Sequence, residues 1–418
     1  MSVENIATRY RFQPGELKSR LPASFLSRPR LLHRRPRIVA AQSYSPTIDQ
    51  SFSGSTYYFT AAGIDAGLFE GAMGFVSPSH WQNAWTNAQG CIWKTGRWLQ
   101  CRPTSGFKFS RRYLDLAWRR VLPALRGVDI VSNFQMVSPL FCEQRRKLDT
   151  GLHFFIDGTL SEYFGTYSAF EAGNVDPQVV VEALEIERLG YHDADTIMAM
   201  SKGTAEVLAG DYGVDPGKIS VVLPGANLLD CDIPIEPAAP DPDNFVLSFV
   251  GIYPMRKGLA RLLRAVTLLR AQGRNIKIRI IGSAPDEVIA NDAVEFLGRI
   301  DKRTDAKRFI NATSSAHFGC LLSEAELGGI GLVESVRVGV PAIGTGVGGM
   351  KDLLAAFGGV TAPVDLSDAE LATLIARFMD EPGRYSVLRA NAVANRAKAS
   401  WTRAAQEIDA VLTGWSRP

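Results

Sequence analysis

The sequence predicts an α/β protein with two domains, each a parallel sheet with helical crossovers. Its 418 residues exceed the length of roughly 250–300 residues at which single cores stop growing. Short apolar runs alternate with segments of helical periodicity, which is the pattern of parallel strands joined by helices. A Pro- and Asp-rich segment without periodicity, 229–244, separates two halves of comparable size and is predicted to be a linker.

Ten short runs are predicted to be strands, because each is bounded by Gly, Pro, Asp or Ser and is apolar on both faces, as strands covered by helices must be. They are Arg37–Ser43, Val128–Ser132, Leu152–Asp157, Thr196–Met200, Ile219–Leu223, Phe245–Val250, Ile276–Ile281, Val294–Leu297, Ala316–Leu322 and Val340–Gly344. The predicted divisions of the chain are an arm at 1–36, a first domain at 37–228, the linker, a second domain at 245–400 and a C-terminal helix at 401–418.

Composition limits the class of protein. Hydrophobic residues make up 46% and charged residues 21%, as in globular proteins, and no run of eighteen apolar residues could span a membrane. The N-terminus lacks the apolar core of a secretory signal, so a cytoplasmic protein is expected. Five scattered cysteines without a CxxC pair indicate unpaired thiols, and the five histidines show no zinc-binding spacing, so no metal is expected.

Positive charge is concentrated near the N-terminus. Residues 1–37 carry nine Lys and Arg against two Asp and Glu, a balance of +7, whereas the remainder has 37 against 41, a balance of −4. Such an arm could meet nucleic acid or an anionic membrane surface, or it could be a solvated and partly disordered tail.

The segment 77–127 is both aromatic and basic around a helix predicted at Tyr113–Leu125. A segment of this kind can lie on an anionic membrane or bind an acidic substrate, and the alternative is a helix with core aromatics and solvated arginines. Its residues are Trp81, Trp85, Trp93, Trp98, Trp118, Lys108, Arg111, Arg112, Arg119, Arg120 and Arg126.

The window Ser323–Asp352 is the most informative for chemistry. Glu326 and Glu334 stand eight residues apart, and glycines at 328, 329 and 331 allow main-chain amides to approach a ligand. A helix predicted at Ile330–Val338 would direct its N-terminus at the same place, which is typical of a phosphate site, while carboxylates accept hydrogen bonds from sugar hydroxyls. The window therefore predicts binding of a molecule that is both sugar and phosphate.

Two cations lie in the same half of the chain. Arg256 and Lys257 stand between a predicted strand and the helix that begins after Gly258, whose apolar stripe includes Leu259, Leu262 and Val266. Cations at the carboxyl edge of a parallel sheet can neutralise a diphosphate.

Other enzyme classes lack their patterns. The glutamates, among glycines at a helix start that favours ionisation, fit poorly with a glycoside hydrolase, which needs one carboxyl of raised pKa. The glycines at 344–349 do not have the dinucleotide-binding spacing, and neither G-x-x-x-x-G-K-[ST] nor G-x-S-x-G occurs.

This ordered set of motifs resembles glycosyltransferase family 4, of the glycosyl transferases group 1 and the GT-B superfamily. The similarity extends over roughly 38–410 and is strongest from 245 to 355. It is carried by Gly251 and the Arg256-Lys257-Gly258 loop, by "IKIRIIGSAP", "VEFLGRI", "GVPAIGT" and "GVGGMKD", and by the two glutamates; "FSGSTYY" and "SKGTAEVLAGDYGVDPGKISVVLPGAN" match more loosely. The resemblance implies two Rossmann-like domains whose parallel sheets face each other across a cleft, with the C-terminal helix returning to the first domain.

The resemblance also implies a donor site. Lys257 with Arg256 would bind the donor diphosphate, Glu326 would contact the transferred sugar, and Glu334 would hold the ribose hydroxyls. The remaining donor-site residues it implies are Gly54, Gly251, Gly328, Gly329, Ile330 and Gly331, with Arg299 and Ile300 near the nucleobase.

Three positions depart from the family pattern. Ile252 stands where an arginine is usual, so that Arg256 would supply the charge, and Leu327 replaces a glycine next to the sugar. Asp157 replaces a histidine at the end of "LHFFID"; it could orient the acceptor or the donor sugar, or cap a strand-to-helix turn. His153 is expected to be a packed residue within that strand.

The expected activity is retaining transfer of a sugar from a nucleotide-sugar donor to a glycan or lipid-linked acceptor, without a cofactor or metal and without a nucleic-acid partner. The expected setting is cell-surface polysaccharide or lipopolysaccharide synthesis, with peripheral contact to the inner face of an anionic membrane. The alternatives are a non-catalytic sugar-nucleotide-binding protein and a sugar-nucleotide epimerase on the same scaffold.

Overall fold

The computed structural model describes residues 37–41, 54–74, 80–169, 174–241 and 243–415. The basic arm at 1–36 lies outside the described residues. The chain divides into two compact units, of which the first takes its residues from Met1–Val222 and Ala405–Pro418 and the second is Leu223–Ala404. Among the described residues, no helix combines the length and apolar composition needed to cross a membrane.

The first unit is built on a six-stranded parallel sheet. The strands are β1 (Arg37–Ala41), β2 (Gly71–Gly74), β3 (Asp129–Ser132), β4 (Gly151–Ile156), β5 (Thr196–Ala199) and β6 (Ile219–Val221), in the spatial order β2-β1-β3-β4-β5-β6. Its described helices are α1 (Ser55–Asp65), α2 (His80–Leu99), α3 (Arg111–Val121), α4 (Pro139–Leu148), α5 (Leu160–Thr166), α6 (Pro177–Asp193) and α7 (Lys202–Gly210). The side chains of β3, β4 and β5 are buried on both faces, as in a sheet covered by helices.

The second unit repeats this architecture. Its strands are β7 (Phe245–Gly251), β8 (Ile276–Gly282), β9 (Val294–Gly298), β10 (Phe318–Leu321), β11 (Ala342–Gly344) and β12 (Val360–Thr361), all parallel, in the order β12-β11-β10-β7-β8-β9. Its helices are α8 (Leu259–Ala271), α9 (Asp286–Ile289), α10 (Ala306–Ser314), α11 (Ile330–Arg337), α12 (Met350–Phe357), α13 (Asp368–Asp380) and α14 (Pro382–Ala394). The last helix, α15 (Trp401–Gly414), continues from this unit into residues assigned to the first.

Each of the ten predicted strands overlaps a strand of the structure, and within the described residues the ends differ by at most two residues. Two strands were not predicted, because β2 has the sequence GAMG and β12 has two residues, too few to show a pattern. The predicted helix Tyr113–Leu125 begins earlier, at Arg111, since the Ser110 hydroxyl accepts a hydrogen bond from the Tyr113 amide, and a 3₁₀ turn follows it at Leu122–Ala124.

Residues of the predicted linker lie along the second unit. Arg396 donates to the carbonyls of Pro234 and Ile235, and Arg389 donates to the carbonyl of Ala238 at 2.6 Å. Within the first unit, Arg37 pairs with Asp409 of α15 at 2.5 Å. The two compact units divide after Val222 and after Ala404. The predicted boundaries at 228 and 244 stay predictions.

The predicted aromatic segment has two kinds of tryptophan. Trp118 is buried in the core of the first unit and stacks on Phe141, and Trp93 is half-buried against the same core. In contrast, Trp81, Trp85 and Trp98 on α2 are exposed, so the interpretation of these aromatics as core residues is wrong for these three.

Candidate functional site

The carboxyl edge of the second sheet has a topological switch point between β7 and β10. From β7 the chain proceeds through β8 and β9 on one side of the sheet, and it then crosses to β10, β11 and β12 on the other. Loops that leave neighbouring strands in opposite directions open a crevice, which is where open α/β sheets bind ligands. The loop after β7 contains Arg256 and Lys257, and the loop after β10 contains Glu326.

These two loops bring both cations onto one carboxylate. Lys257 Nζ lies 3.1 Å and Arg256 Nη1 lies 3.4 Å from Glu326 Oε2. The side chains are 16%, 9% and 11% exposed for Lys257, Arg256 and Glu326, so the cluster is largely shielded from solvent. Ser323 Oγ lies 3.5 Å from the same Glu326 oxygen, and the Arg256 guanidinium also donates to the Ala325 carbonyl at 2.6 Å. The structure therefore joins the two predicted sites, although 69 residues separate Lys257 from Glu326.

Glycines make this close approach possible. Gly258, at φ 75°, caps the N-terminus of α8, and a Cβ there would lie 2.2 Å from the carbonyl oxygen of Leu322. A Cβ at Gly348 would lie 2.0 Å from the carbonyl oxygen of Glu326. At Gly251, the end of β7, a Cβ would lie 2.6 Å from the Lys257 side chain. Side chains at these positions would push apart the loops that carry the charges.

Helix α11 begins next to the charge cluster. Gly329 is its N-cap, in the left-handed region at φ 70°, and Ile330 is its first residue. The Cβ position of Gly331 lies 3.7 Å from the carbonyl oxygen of Val250. The first turn of α11 is therefore next to the end of β7. The N-terminal amides of a helix form a binding site for an anion. Gly328 and Gly331 are half-buried, so this part of the main chain is accessible.

The second glutamate is paired with a lysine that the sequence analysis did not single out. Glu334 is 2% exposed, and its Oε1 accepts a hydrogen bond from Lys302. Lys302 also lies over the ring of Phe309, at 5.1 Å from the centroid. The one sequence signal for Lys302 is its place shortly after the carboxyl end of β9. Of the predicted nucleobase residues next to it, Arg299 is exposed and the Ile300 side chain packs in a hydrophobic cluster.

The departures from the family pattern differ in their surroundings. Ile252 is 50% exposed and Leu327 is 6% exposed. The Leu327 carbonyl accepts a hydrogen bond from the Gly349 amide at 2.8 Å, which ties the loop after β10 to the start of α12. The Arg256 guanidinium lies over the Tyr253 ring, at 5.3 Å from the centroid.

In the first unit, Asp157 directly follows β4. Gln135 Nε2, from the loop after β3, lies 3.5 Å from Asp157 Oδ1 and donates to the Gly158 carbonyl at 2.9 Å. Thr159, not Asp157, caps the next helix, α5, in a capping box with Glu162. The interpretation of Asp157 as a helix cap is therefore wrong, and Gln135 is a neighbour that the sequence analysis did not identify.

Two other predictions for this unit have clear positions. Gly54 is buried at the N-terminus of α1 with φ 89°, a conformation that side chains rarely adopt. His153 is 1% exposed within β4, and its Nδ1 lies 2.8 Å from Thr196 Oγ1, which confirms that it is a packed residue.

A buried carboxyl group lies behind the loop of Asp157. Glu187 is fully buried and accepts hydrogen bonds from the Leu160 amide at 2.7 Å, from the Tyr191 hydroxyl at 2.8 Å and from the Tyr212 hydroxyl. Burial raises the pKa of Glu187 to about 8. Through the Leu160 amide, the Glu187 carboxyl group holds the first residue of α5, which immediately follows the loop at 157–159.

The described residues contain no group of three or more His, Cys, Asp and Glu side chains placed to hold a metal ion. Their five cysteines are unpaired, and Cys320 is buried. The expectation of an enzyme without metal stays a prediction.

Comparison with known proteins finds a family match within the second unit. Residues 233–396 match the model of the family glycosyl transferases group 1. D-inositol 3-phosphate glycosyltransferase 2 of Catenulispora acidiphila is 27% identical over an alignment of 235 residues, and the alignment covers 51% of this chain and 54% of that protein. The chain thus spans about half the length of the curated relatives it matches.

Solved structures show the same fold over most of the chain. The structure of HepE of Anabaena, in complex with UDP and glucose, matches with a TM-score of 0.60 at 15% identity. The match covers 91% of this chain and 100% of the HepE chain. WaaG, a glycosyltransferase involved in lipopolysaccharide biosynthesis, has a TM-score of 0.60 at 13% identity over 90% of this chain and 100% of its own. Residues 233–396 are therefore similar to the glycosyl transferases group 1 family, and the chain has the GT-B fold that the sequence predicts.

Proposed function

We propose that this chain is a retaining glycosyltransferase that moves a sugar from a nucleotide-sugar donor to a glycan or lipid-linked acceptor. The observation that carries the proposal is the meeting of Lys257, Arg256 and Glu326 at the switch point of the second sheet, beside the N-terminus of α11. A nucleotide sugar has a diphosphate for the cations and helix amides, and sugar hydroxyls for the carboxylate. One site thus serves both parts of the donor.

The proposed chemistry follows from charge. When the bond between sugar and diphosphate breaks, negative charge grows on the leaving phosphate. Fixed donors aimed at that charge lower the barrier, and they act most strongly where water is excluded. Lys257, Arg256 and the amides at 329–331 supply such donors without a metal. Glu326 holds both cations in place before the donor arrives and accepts a hydrogen bond from the transferred sugar afterwards.

Arg256 is proposed to replace the arginine that is missing at Ile252. Its guanidinium is 9% exposed and lies 3.4 Å from the Glu326 carboxylate, whereas Ile252 is half-exposed and apolar. The charge at the site is thereby kept although its position in the loop differs.

The nucleoside end of the donor is assigned to Glu334, Arg299 and Ile300. Glu334 lies on α11, one helical turn beyond the proposed phosphate-binding amides, so a ribose next to the diphosphate would reach it. Its pairing with Lys302 fixes the carboxylate and leaves the second oxygen as the acceptor for ribose hydroxyls. The base is proposed to be uracil, because UDP is the nucleotide bound to the HepE structure.

Asp157 is proposed to act on the acceptor side, as the group that orients the attacking hydroxyl. Gln135 and the Glu187 network fix the loop in which it lies. The proposed setting is assembly of a cell-surface glycan, which is supported by the likeness to WaaG, and it includes peripheral contact with an anionic membrane.

Calorimetric titration with UDP, GDP and ADP tests the donor site directly. We expect UDP to bind, and Lys257→Ala to weaken its binding at least tenfold, which is about 1.4 kcal/mol. Lys277→Ala is the matched control, since Lys277 lies near the amino end of β8, at the opposite edge of the same sheet, and should leave the affinity unchanged. Equal affinity of the Lys257 variant and wild type would refute the assignment.

A second measurement separates transfer from binding alone. The nucleotide sugar of the base that binds is incubated with an acceptor, and nucleoside diphosphate is measured. Glu326→Gln should keep UDP binding, because both cations remain, and should lose transfer. A wild-type protein that binds UDP but never releases it from a nucleotide sugar, with any glycan acceptor offered, would refute catalysis. Isomerised nucleotide sugar would identify an epimerase instead.

A further inference from the structure

Helix α2 presents to solvent the kind of face that a surface helix normally buries. Trp81, Trp85, Ile92 and Leu99 are 87%, 58%, 55% and 71% exposed. Their spacings of four, seven and seven residues place them along one side of the helix, because a helix has 3.6 residues per turn. Trp98, 69% exposed, lies about 100° around the helix axis from Leu99 and extends this surface. We call these five residues the tryptophan face.

The opposite side of α2, which contacts the rest of the first unit, is largely polar or small. Gln89 accepts a hydrogen bond from Arg112, and Thr86 accepts one from Arg120. Gly90 packs on Phe107, so closely that a Cβ would lie 3.2 Å from that ring.

Two further contacts complete the inner side of α2. Trp93 lies 5.6 Å from Phe107 between ring centroids. Arg97 forms an ion pair with Asp176. The usual arrangement of an amphipathic surface helix, apolar side inward, is thus largely reversed.

The stretch of sequence that contains this helix carries charge of one sign. From Gly71 to Leu114 the sequence has no Asp or Glu, whereas it has six basic residues, which are Lys94, Arg97, Arg102, Lys108, Arg111 and Arg112. Lys94 on α2 and Arg111 at the start of α3 are exposed. Although Arg97 pairs with Asp176, an apolar stripe next to the exposed Lys94 is complementary to a surface that is apolar inside and negatively charged outside.

We propose that the tryptophan face binds the interface of an anionic phospholipid bilayer, with α2 lying parallel to the membrane plane. Tryptophan suits this position because its ring is apolar and its N–H is polar, so it remains at the level of the headgroups. Basic side chains around an amphipathic helix add attraction to anionic lipids. The proposal involves no residue of the donor site, and it would hold the first unit, with Asp157, at a surface where a lipid-linked acceptor resides.

The test is binding of the full chain to vesicles of phosphatidylcholine with phosphatidylglycerol, measured by co-sedimentation. We expect the triple variant Trp81→Ser, Trp85→Ser, Ile92→Ser to bind at least tenfold more weakly than wild type. The matched control is Val181→Ser with Leu189→Ser on α6, which are 56% and 57% exposed on a helix that also carries acidic residues. The control should bind like wild type.

Tryptophan fluorescence gives a second readout. Brominated phosphatidylcholine in the vesicles should quench wild-type emission and leave the emission of the triple variant nearly unchanged, since a variant that no longer binds the vesicles keeps its remaining tryptophans, the exposed Trp98 included, away from the lipid. The UDP affinity of the variant should equal that of wild type, so failure of this proposal is distinct from failure of the donor site.

Two outcomes would overturn the proposal. Equal vesicle binding by wild type and the triple variant would assign any membrane contact to another part of the chain. A wild-type dimer in sedimentation velocity that becomes monomeric in the triple variant, without quenching by brominated lipid, would show that a second copy covers the tryptophan face.

Discussion

Substitution of Gly258 by alanine tests whether the loops of the candidate site depend on one close contact. Gly258 follows Lys257 and has φ 75°, and its position for a Cβ is 2.2 Å from the Leu322 carbonyl oxygen and 2.7 Å from the carbonyl carbon. Leu322 immediately follows β10, and the Arg256 carbonyl accepts a hydrogen bond from the Glu324 amide at 3.0 Å. A methyl group at 258 must therefore move main chain in one of the two loops.

The expected loss of stability has two parts. The left-handed conformation costs an L-residue about 1–2 kcal/mol. The contact with the main chain adds about 1–3 kcal/mol, because backbone cannot rotate away as a side chain would. Gly273→Ala is the matched control: Gly273 has φ 81° and no atom within 4 Å of its Cβ position, so it incurs only the first part. The difference between the two variants measures the contact alone.

Urea unfolding gives the free energy of unfolding of the two variants. Both glycines belong to the second unit, so the unfolding transition of that unit is compared in both cases. We expect Gly258→Ala to be about 1–3 kcal/mol less stable than Gly273→Ala. We also expect it to bind UDP more weakly, because Lys257 moves away from Glu326. Equal stability of the two variants, or loss of stability without any change in UDP affinity, would refute the inference that this contact sets the site.

Two predictions concern buried ionisable groups of the first unit. The Arg145 side chain is 7% exposed and pairs with Asp193 at 2.6 Å and Asp195 at 2.8 Å, so Arg145→Met should lower the free energy of unfolding by about 3–5 kcal/mol. The control is Arg146→Met: the Arg146 side chain is 84% exposed, so this variant should change the free energy of unfolding by less than about 0.5 kcal/mol in the same urea experiment. Similar losses for both variants would contradict the prediction. The raised pKa of Glu187, about 8 against an ordinary 4.5, means that the folded chain keeps a proton that the unfolded chain releases in this window. The free energy of unfolding should therefore fall as pH rises from about 5 to 8, by at most about 1.4 kcal/mol per pH unit. Glu187→Gln should flatten this dependence. If the unfolding midpoints of both proteins have the same pH slope, Glu187 is excluded as the cause.

Much of the candidate site could be predicted from the sequence because its residues lie in short local patterns. Arg256 and Lys257 stand just after a strand, and Glu326 lies in a glycine-rich window before a helix. Lys302 and Gln135 could not be predicted, since each contacts a partner 32 or 22 residues away in the chain that belongs to a different element or loop. A single lysine or glutamine in a loop has no periodicity or spacing to distinguish it.

The aromatic segment shows the same limit for surfaces. The spacing of Trp81, Trp85, Ile92 and Leu99 gives α2 an apolar side, and a surface helix normally buries such a side. Its inner face is decided by the contacts of Gln89, Thr86 and Gly90 with α3 and the turn at Phe107–Phe109, which hold the polar side inward. Exposure depends on these distant partners, so it is a property of the fold and not of the helix alone.

The sequence by itself determined the two α/β units, the elements that begin or end at glycines, and the residue types of the candidate site, because strand length, helical period and turn chemistry are local. The tertiary structure decided which charges meet. Strand order β10-β7-β8 is set by packing between elements far apart in the chain, and it alone brings Lys257 to within 3.1 Å of Glu326. It also decided that the tryptophans of α2 face solvent while Trp118 is buried.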